Sequence, residues 1–343
     1  MISDRVSQLR RWGTSIAYQL SGLGDEPTLG TSAECSIRLD DPSGQVSRVH
    51  ARFARTDAGW AIRDLGSTNG ILLDGASHKD CVLEPGTELG FGDVILIAES
   101  EQLIALQNFL SRLLGWARDR RPEIDRALRS VRLAATHRAP LVLMGEGDLA
   151  PIARALHDRV RGADRPFLLC DPRRRLHDET VRSVASRSDV SDALREATGG
   201  SVCFRRNRLP PGTIATVDES LRGPRSRVQV IMCAKPVQGS VESLLVDPVI
   251  IPPLRDRASE LDRIISEYAE DAADSLRVAR RELTEEELDW VRRFAASSLP
   301  QIEKGTRRVV AFRASRNLSG AAARLGMAPV SLSRWIGRRD VIE

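Results

Sequence analysis

Lysine is almost missing from this chain. Lys79, Lys235 and Lys304 are the only three among 51 basic residues, and the rest are arginine. A site whose chemistry needs a lysine therefore has almost none to draw on. No apolar run approaches the ~20 residues that span a bilayer. The opening MISDRVSQLRRW also lacks the apolar stretch of a secretory leader. These two absences lead us to expect a cytoplasmic protein with no membrane attachment. The five cysteines (Cys35, Cys81, Cys170, Cys203 and Cys233) are odd in number and never form a C-x-x-C pair. That argues against a disulfide framework and against a thiolate metal site, so reduced, mostly buried thiols and no metal or other cofactor are expected.

What is present describes a soluble multidomain protein. At 343 residues the length suits two or three domains. Hydrophobic residues make up 41% and charged residues 29%, which excludes a disordered chain. Between Ser15 and Ile97, short apolar runs (TSIAYQL, CSIRL, HARFAR, GWAIRDL, DVILIA) alternate with Gly, Asp, Asn and Pro. Short strands at this spacing, with Asn69-Gly70 and Asp74-Gly75 as tight-turn dipeptides, predict an all-β sandwich.

Five motifs in order carry a family resemblance here: Leu29-Gly30, Val46-Ser47-Arg48-Val49-His50-Ala51, Asp64 to Gly70, Leu83-Glu84-Pro85-Gly86 and Phe91-Gly92-Asp93. Together they resemble the forkhead-associated (FHA) domain, a sandwich whose loops in most relatives read phosphothreonine. A phosphothreonine brings about −1.5 to −2 charges and three acceptor oxygens, so a reader needs charge-assisted donors on rigid loops. The resemblance implies that Ser47 gives its hydroxyl to phosphate, Thr68 adds a loop donor and Asn69 holds the peptide backbone. His50 is expected to fix the loop. Arg48 is either a phosphate contact or a solvated arginine. The residue after the first glycine, an arginine in most phosphothreonine readers, is Thr31. Its loss costs about 2–3 kcal/mol, or roughly 30- to 150-fold in affinity, unless Arg48 or Arg38 compensates. The sandwich is then either a phosphothreonine reader or a phosphate-independent docking surface.

Leucines 103, 106, 110, 113 and 114 recur at helical spacing and predict a linker helix over 102–116, with a second over about 123–135 between Pro122 and Pro140. From 141 to 300 the rhythm becomes β/α: LVLMG, IARALHDRV, PFLLC, DALREA, SVCF, VQVIMCA and VIIPPL. Such alternation predicts a mostly parallel sheet. The order of the segments, and Ile251-Pro252-Pro253-Leu254-Arg255-Asp256-Arg257 above all, resembles the AAA+ ATPase domain of sigma-54-dependent activators. An unrelated α/β domain is the alternative.

A phosphate-binding loop needs a glycine cradle, a lysine and a hydroxyl. After Gly145-Glu146-Gly147 this chain reads Asp148-Leu149-Ala150-Pro151, and the acidic pair expected for magnesium falls at Arg205-Arg206. Two arginines cannot bind a dication. The sigma-contact loop expected between Cys170 and Gly199, and the finger arginines expected over 241–249, are also missing from the sequence. The resemblance therefore implies a degenerate nucleotide site at Gly145, Glu146, Gly147, Asp148, Arg205 and Arg206, with no enzyme activity.

Toward the C-terminus, LTEEELDWVRRFAA opens on a helix-start signal at Thr284. Helices over about 307–315, 318–325 and 330–338, with Gly326-Met327-Ala328-Pro329 as a turn, resemble the Fis-type helix-turn-helix that ends those activators. Residues 301–343 hold nine Lys/Arg against three Asp/Glu. That surplus suits the phosphate term of DNA binding. Arg324, Ser331, Ser333, Arg334, Arg338 and Arg339 are the candidate DNA contacts, while Leu332, Trp335 and Ile336 are expected to form the small core. Dimerisation through a basic helical tail is the alternative.

The expected architecture is an FHA domain (1–100), linker helices (101–138), a degenerate AAA+ α/β subdomain (139–258), a helical lid-like subdomain (259–300) and a helix-turn-helix (301–343). The expected function is a DNA-binding transcriptional regulator. It would carry an FHA domain that docks a protein partner, possess an inactive AAA+ scaffold, and assemble as a homodimer or higher oligomer. The competing readings are a phospho-dependent adaptor of a kinase pathway that does not touch DNA, and an active ATP-driven sigma-54 activator.

Overall fold

The computed structural model describes residues 4–171, 186–209, 228–236, 247–315 and 317–337. Chain contacts divide it into two units, residues 1–111 with 116–129, and residues 112–115 with 130–343.

The first unit is built on two sheets. One holds β1 (Val6–Arg11), β2 (Ala17–Gln19), β7 (Ile71–Leu73), β8 (Ala76–His78), β10 (Glu88–Phe91) and β11 (Val94–Ser100) in the order β2-β1-β11-β10-β7-β8. The other holds β3 (Thr28–Gly30), β4 (Ile37–Arg38), β5 (Ala51–Thr56), β6 (Gly59–Asp64) and β9 (Asp80–Val82) in the order β4-β3-β5-β6-β9. All pairings are antiparallel except β3 with β4. The predicted sandwich is present, and its strands follow period 2. Ala51 and Phe53 of β5, and Trp60 and Ile62 of β6, face inward, while Arg52 and Arg63 point to solvent. Leu9, Leu29, Phe53, Leu89, Phe91 and Leu96 fill the space between the sheets.

Two helices belong partly to each unit, α1 (Glu101–Leu114) and α2 (Arg121–His137). Both were expected, but α2 starts earlier than its apolar pattern indicates. Pro122 lies inside its first turn rather than marking a break, because a proline there gives up an N–H that has no helical partner anyway.

The second unit contains a parallel sheet of β12 (Leu141–Met144), β13 (Phe167–Cys170), β14 (Ser186–Arg187), β15 (Ser201–Arg205), β16 (Gln229–Ala234) and β17 (Val249–Ile250). The order is β14-β13-β15-β16-β12-β17, with every pair parallel. LVLM and FLLC are buried at all four positions, as strands covered on both faces must be. Helices α3 (Ala150–Arg161) and α4 (Val190–Glu196) connect them.

A helical region follows: α5 (Leu261–Leu276), α6 (Glu285–Phe294), α7 (Leu299–Arg313), α8 (Leu318–Leu325) and α9 (Pro329–Ile336). Helix α5 falls inside the helical subdomain expected over 259–300, although no separate helix was placed there. Thr284 does start α6, in a capping box where its hydroxyl accepts from the Glu287 amide and the Glu287 carboxylate accepts from the Thr284 amide. Helix α7 begins eight residues before the expected start, again with a proline, Pro300, in its first turn. Leu332 is fully buried, with Trp335 and Ile336 packed beside it as expected.

The five cysteines are all free thiols, four of them buried, and burial pushes the Cys170 thiol up to about 12. Among the described residues, no helix is long and apolar enough to cross a membrane.

Candidate functional site

The loops at one end of the sandwich bring together the residues that the family resemblance singled out. Gly30 closes β3 against the loop before β5. A Cβ there would lie 2.2 Å from the Arg48 carbonyl oxygen, so only glycine lets the two backbones approach. Two amides then bridge the gap. Thr31 N–H donates to the Ser47 carbonyl at 3.2 Å and Ser32 N–H to the Arg48 carbonyl at 3.0 Å.

His50 is fully buried and fastens this loop to the next one. Its Nδ1 accepts from the Ser47 amide at 3.1 Å, which leaves Nε2 to donate to the Gly70 carbonyl at 2.9 Å. Phe91 meets the ring edge to face at 5.2 Å. The loop-fixing role expected of His50 is what this geometry provides.

Ser47 is the residue that offers chemistry. Its Oγ accepts from the Thr68 amide at 3.2 Å, so the hydroxyl is oriented while its own hydrogen remains free to donate. Arg48, next to it, is exposed and carries no ion pair among the described residues. Arg38, opposite Gly30 in the β3–β4 register, is likewise exposed and unpaired. The Thr68 side chain is exposed, but its amide is already spent on Ser47. Asn69 uses one amide hydrogen on the Gln45 carbonyl at 2.9 Å and keeps its other hydrogen and its oxygen. Thr31 stands beside this group, held through its backbone.

Two carboxylates make the loops rigid, Asp64 from the five motifs, without a role assigned there, and Asp41 from outside them. Asp64 accepts from the Gly66 and Ser67 amides and the Ser67 hydroxyl, and that hydroxyl accepts in turn from the Gly70 amide at 3.0 Å. Partial burial works against the Asp64 charge, but these bonds outweigh it and hold the carboxyl below its usual range. Asp41 accepts from Ser43 and from the Val46 amide at 2.7 Å, and is also held low, chiefly by the Ser43 hydroxyl. An Asp with its partner amide two residues on, as in Asp64-Leu65-Gly66 and Asp41-Pro42-Ser43, was the available signal for both.

In the second unit the residues expected to form a degenerate nucleotide site lie at the carboxyl ends of β12 and β15. Arg205 grips Asp148 with two bonds, Nε to Oδ1 at 2.9 Å and Nη2 to Oδ2 at 2.7 Å. Burial opposes the Asp148 charge, yet the Arg205 bonds and charge hold its carboxyl below the ordinary range. Arg205 and Arg208 also reach Asp171, at 3.3 and 3.1 Å, and Glu146 pairs with Arg255 at 2.7 Å. The two charge reversals seen in sequence therefore neutralise each other. Arg206 takes no part in this cluster, because it starts a 3-10 turn and Arg208 is the residue that reaches Asp171. The expected sigma-contact and finger segments fall largely outside the described residues.

At the C-terminus, Gly326 ends α8 in the left-handed region at φ 63°, and its N–H and that of Met327 satisfy the carbonyls of Ala323 and Ala322. This turn projects α9 with Ser331, Ser333 and Arg334 exposed and Leu332 buried. Arg324 is exposed on α8. Arg338 and Arg339 lie outside the described residues. Some of the basic surplus is spent internally, since Arg313 pairs with Glu287 and Arg308 stacks on Trp335 at 4.2 Å.

Comparison with known proteins assigns the sandwich. Residues 28–97 match the family model of the FHA domain, and this part of the chain is an FHA domain. A curated relative from Corynebacterium diphtheriae, named oxoglutarate dehydrogenase inhibitor, is 37% identical over 75 residues, which is 21% of this chain. The chain spans about half the length of that relative, 51% of it. Solved structures similar to this chain include Mycobacterium tuberculosis EmbR in complex with a low-affinity phosphopeptide. It is 25% identical with a TM-score of 0.26, over 28% of this chain and 24% of that one. Another, from a study of phosphothreonine-dependent FHA domain interactions, is 25% identical with a TM-score of 0.25, over 27% of this chain and 95% of that one.

Proposed function

We propose that this chain is a phosphorylation-dependent docking protein of a signalling pathway, whose FHA loops take a phosphothreonine segment of a partner protein. The observation that carries this reading is the Ser47 hydroxyl, oriented by the Thr68 amide with its proton free, beside the unpaired guanidinium of Arg48. One neutral and one charged donor on a loop fixed by a buried histidine suit a dianionic phosphate. The Corynebacterium relative, named as an inhibitor of an enzyme, fits a module that acts by binding rather than by catalysis. The test is fluorescence anisotropy of the full chain with phosphothreonine, phosphoserine and unphosphorylated peptide libraries. Phosphothreonine peptides should bind, and Ser47→Ala should weaken them by roughly 10-fold or more, the value of one charge-assisted hydrogen bond. Equal binding of phosphorylated and unphosphorylated peptides would leave only phosphate-independent docking.

The ion pairs at Asp148 support reading the β/α unit as a scaffold related to the AAA+ domain that has given up nucleotide turnover. Arg205 stands where a metal-binding acid is needed, and its bidentate pair with Asp148 closes the place where a phosphate would lie. No ATP hydrolysis above background is expected from the full chain, and measurable turnover would refute this reading.

A second reading, DNA binding through α8 and α9 in a dimer, is favoured by one observation. The tight turn at Gly326 presents Ser331, Ser333 and Arg334 on the exposed side of a short helix. Gel-shift titration of the full chain on genomic fragments should then show affinity that falls steeply with salt. Arg334→Ala should weaken the complex by about 1–3 kcal/mol if the side chain reads a base. No shift at low salt would remove DNA from the function and leave the adaptor alone.

A further inference from the structure

At the amino ends of the parallel strands, opposite the edge that holds Asp148 and Arg205, lies a cavity of about 620 Å³ lined by Arg138, Val160, Arg161, Arg165, Thr198 and Gly199. Three arginines line it and no Asp or Glu does. Asp164 approaches Arg165 only at 3.9 Å and is itself largely exposed. Arg154 and Arg292, by contrast, are matched to acids, the first to Asp158 and the second to three carboxylates.

Part of the wall is anchored within the fold. Arg161, the last residue of α3, donates from Nη1 to the Ala135 carbonyl at 2.8 Å and from Nη2 to the Gly199 carbonyl at 2.9 Å, and its closed-off Nε has no acceptor. Burial, and then the like charges of Arg138 and Arg165, push the Arg161 guanidinium below its ordinary value, so its charge is locally uncompensated. The backbone of Arg165 is anchored from behind, where its carbonyl meets Nε2 of the fully buried His157 at 3.1 Å. Arg138 and Arg161 both stand at helix C-termini, whose partial negative charge, about half a unit each, offsets only part of three full positive charges. Arg138 holds its place with φ at 53°, a left-handed conformation that glycine would adopt more easily.

We propose that this cavity binds a small anion carrying a diphosphate group, with Arg138 and Arg165 as the closing donors and Arg161 as the fixed charge beneath them. Two free forks, Arg138 and Arg165, beside the fixed charge of Arg161 suit two linked phosphoryl groups better than one. The cavity has the volume of a small-molecule site rather than of a single ion.

The test is isothermal titration of the full chain with inorganic pyrophosphate and, separately, with ADP. The chain carries Ser47→Ala and Arg48→Ala so that the FHA loops lose both phosphate donors. One pyrophosphate per chain should bind and still bind at physiological ionic strength. The double variant Arg138→Gln/Arg165→Gln, made at two exposed side chains and checked for an unchanged melting temperature, should weaken it at least 30-fold, as loss of charge-assisted bonds to two forks requires. ADP binding lost in the same variant would show that a nucleotide can bring the diphosphate, while pyrophosphate binding alone would point to a free polyphosphate. Absence of pyrophosphate binding, binding that disappears at physiological salt, or binding that the double variant retains would each overturn the site.

Discussion

Replacing Asp125 with alanine should lower the stability of the N-terminal unit by about 3–5 kcal/mol, more than most single truncations of a surface ion pair by far. Asp125 is buried, and its two oxygens take Arg10 Nη1 at 3.0 Å and Nη2 at 2.6 Å, together with the Gly13 amide at 2.7 Å. Arg10 is also buried and turns its Nε to Glu99 at 2.7 Å. Glu99 is completed by Gln8 at 2.7 Å, and the Gln107 amide, once turned over so that its oxygen meets Arg10, accepts from the guanidinium at 2.9 Å. Burial alone would disfavour the Arg10 charge, but the two carboxylates more than restore it and hold the guanidinium above its ordinary range. Removing Asp125 leaves that guanidinium half-satisfied and the Gly13 amide without its acceptor. The cost is then desolvation without compensation. For a unit of this size the loss should appear as a melting transition about 10–20 °C lower. The control is Arg10→Met with Asp125→Leu and Glu99→Gln, which removes every charge at once and should cost far less. If Asp125→Ala melts within about 2 °C of the parent, water must reach these charges and the buried network is not what fixes α2 to β1.

The same network shows what the sequence could and could not reveal. Arg10 sits in a strand reading Val6 to Arg11, and its partners lie 89 and 115 positions away. Nothing local distinguishes it from the solvated arginines around it. The FHA loops were legible for the opposite reason. Ser47, His50 and Gly70 are joined by bonds of fixed geometry, so the residue types must recur at set spacings and the motif survives as a pattern. Asp148 and Arg205 were each visible as misplaced charges, but that they satisfy one another across 57 residues required coordinates. The arginine cavity was hidden by abundance. In a chain whose basic residues are nearly all arginine, Arg138, Arg161 and Arg165 carry no local mark, and only strand order places them side by side. Helix α5 was legible only as part of a helical subdomain and not by its own bounds, because its alanines at 269, 272 and 273 dilute the apolar stripe that its isoleucines begin.

Putting an arginine at Thr31 should tighten phosphothreonine peptide binding by roughly 30- to 150-fold and leave unphosphorylated peptides unaffected, the return of about 2–3 kcal/mol from a charge-assisted fork. The backbone needs no adjustment. Residue 31 donates its amide to the Ser47 carbonyl, and its neighbour does the same to Arg48, so a new guanidinium would emerge beside the free Ser47 hydroxyl. The size of the gain discriminates between two arrangements of charge. If Arg48 in the parent already lies against the phosphate, the added arginine meets an anion that is half-neutralised and must share its oxygens, and the gain falls to the lower end of that range. If Arg48 remains solvated, the full gain appears and Arg48→Ala changes little in either background. A Thr31→Arg chain that binds phosphothreonine no better than the parent would mean that no phosphate comes to Ser47. The loops would then dock their partner by shape alone, and the rigid frame built by His50, Asp64 and Asp41 would serve that contact instead.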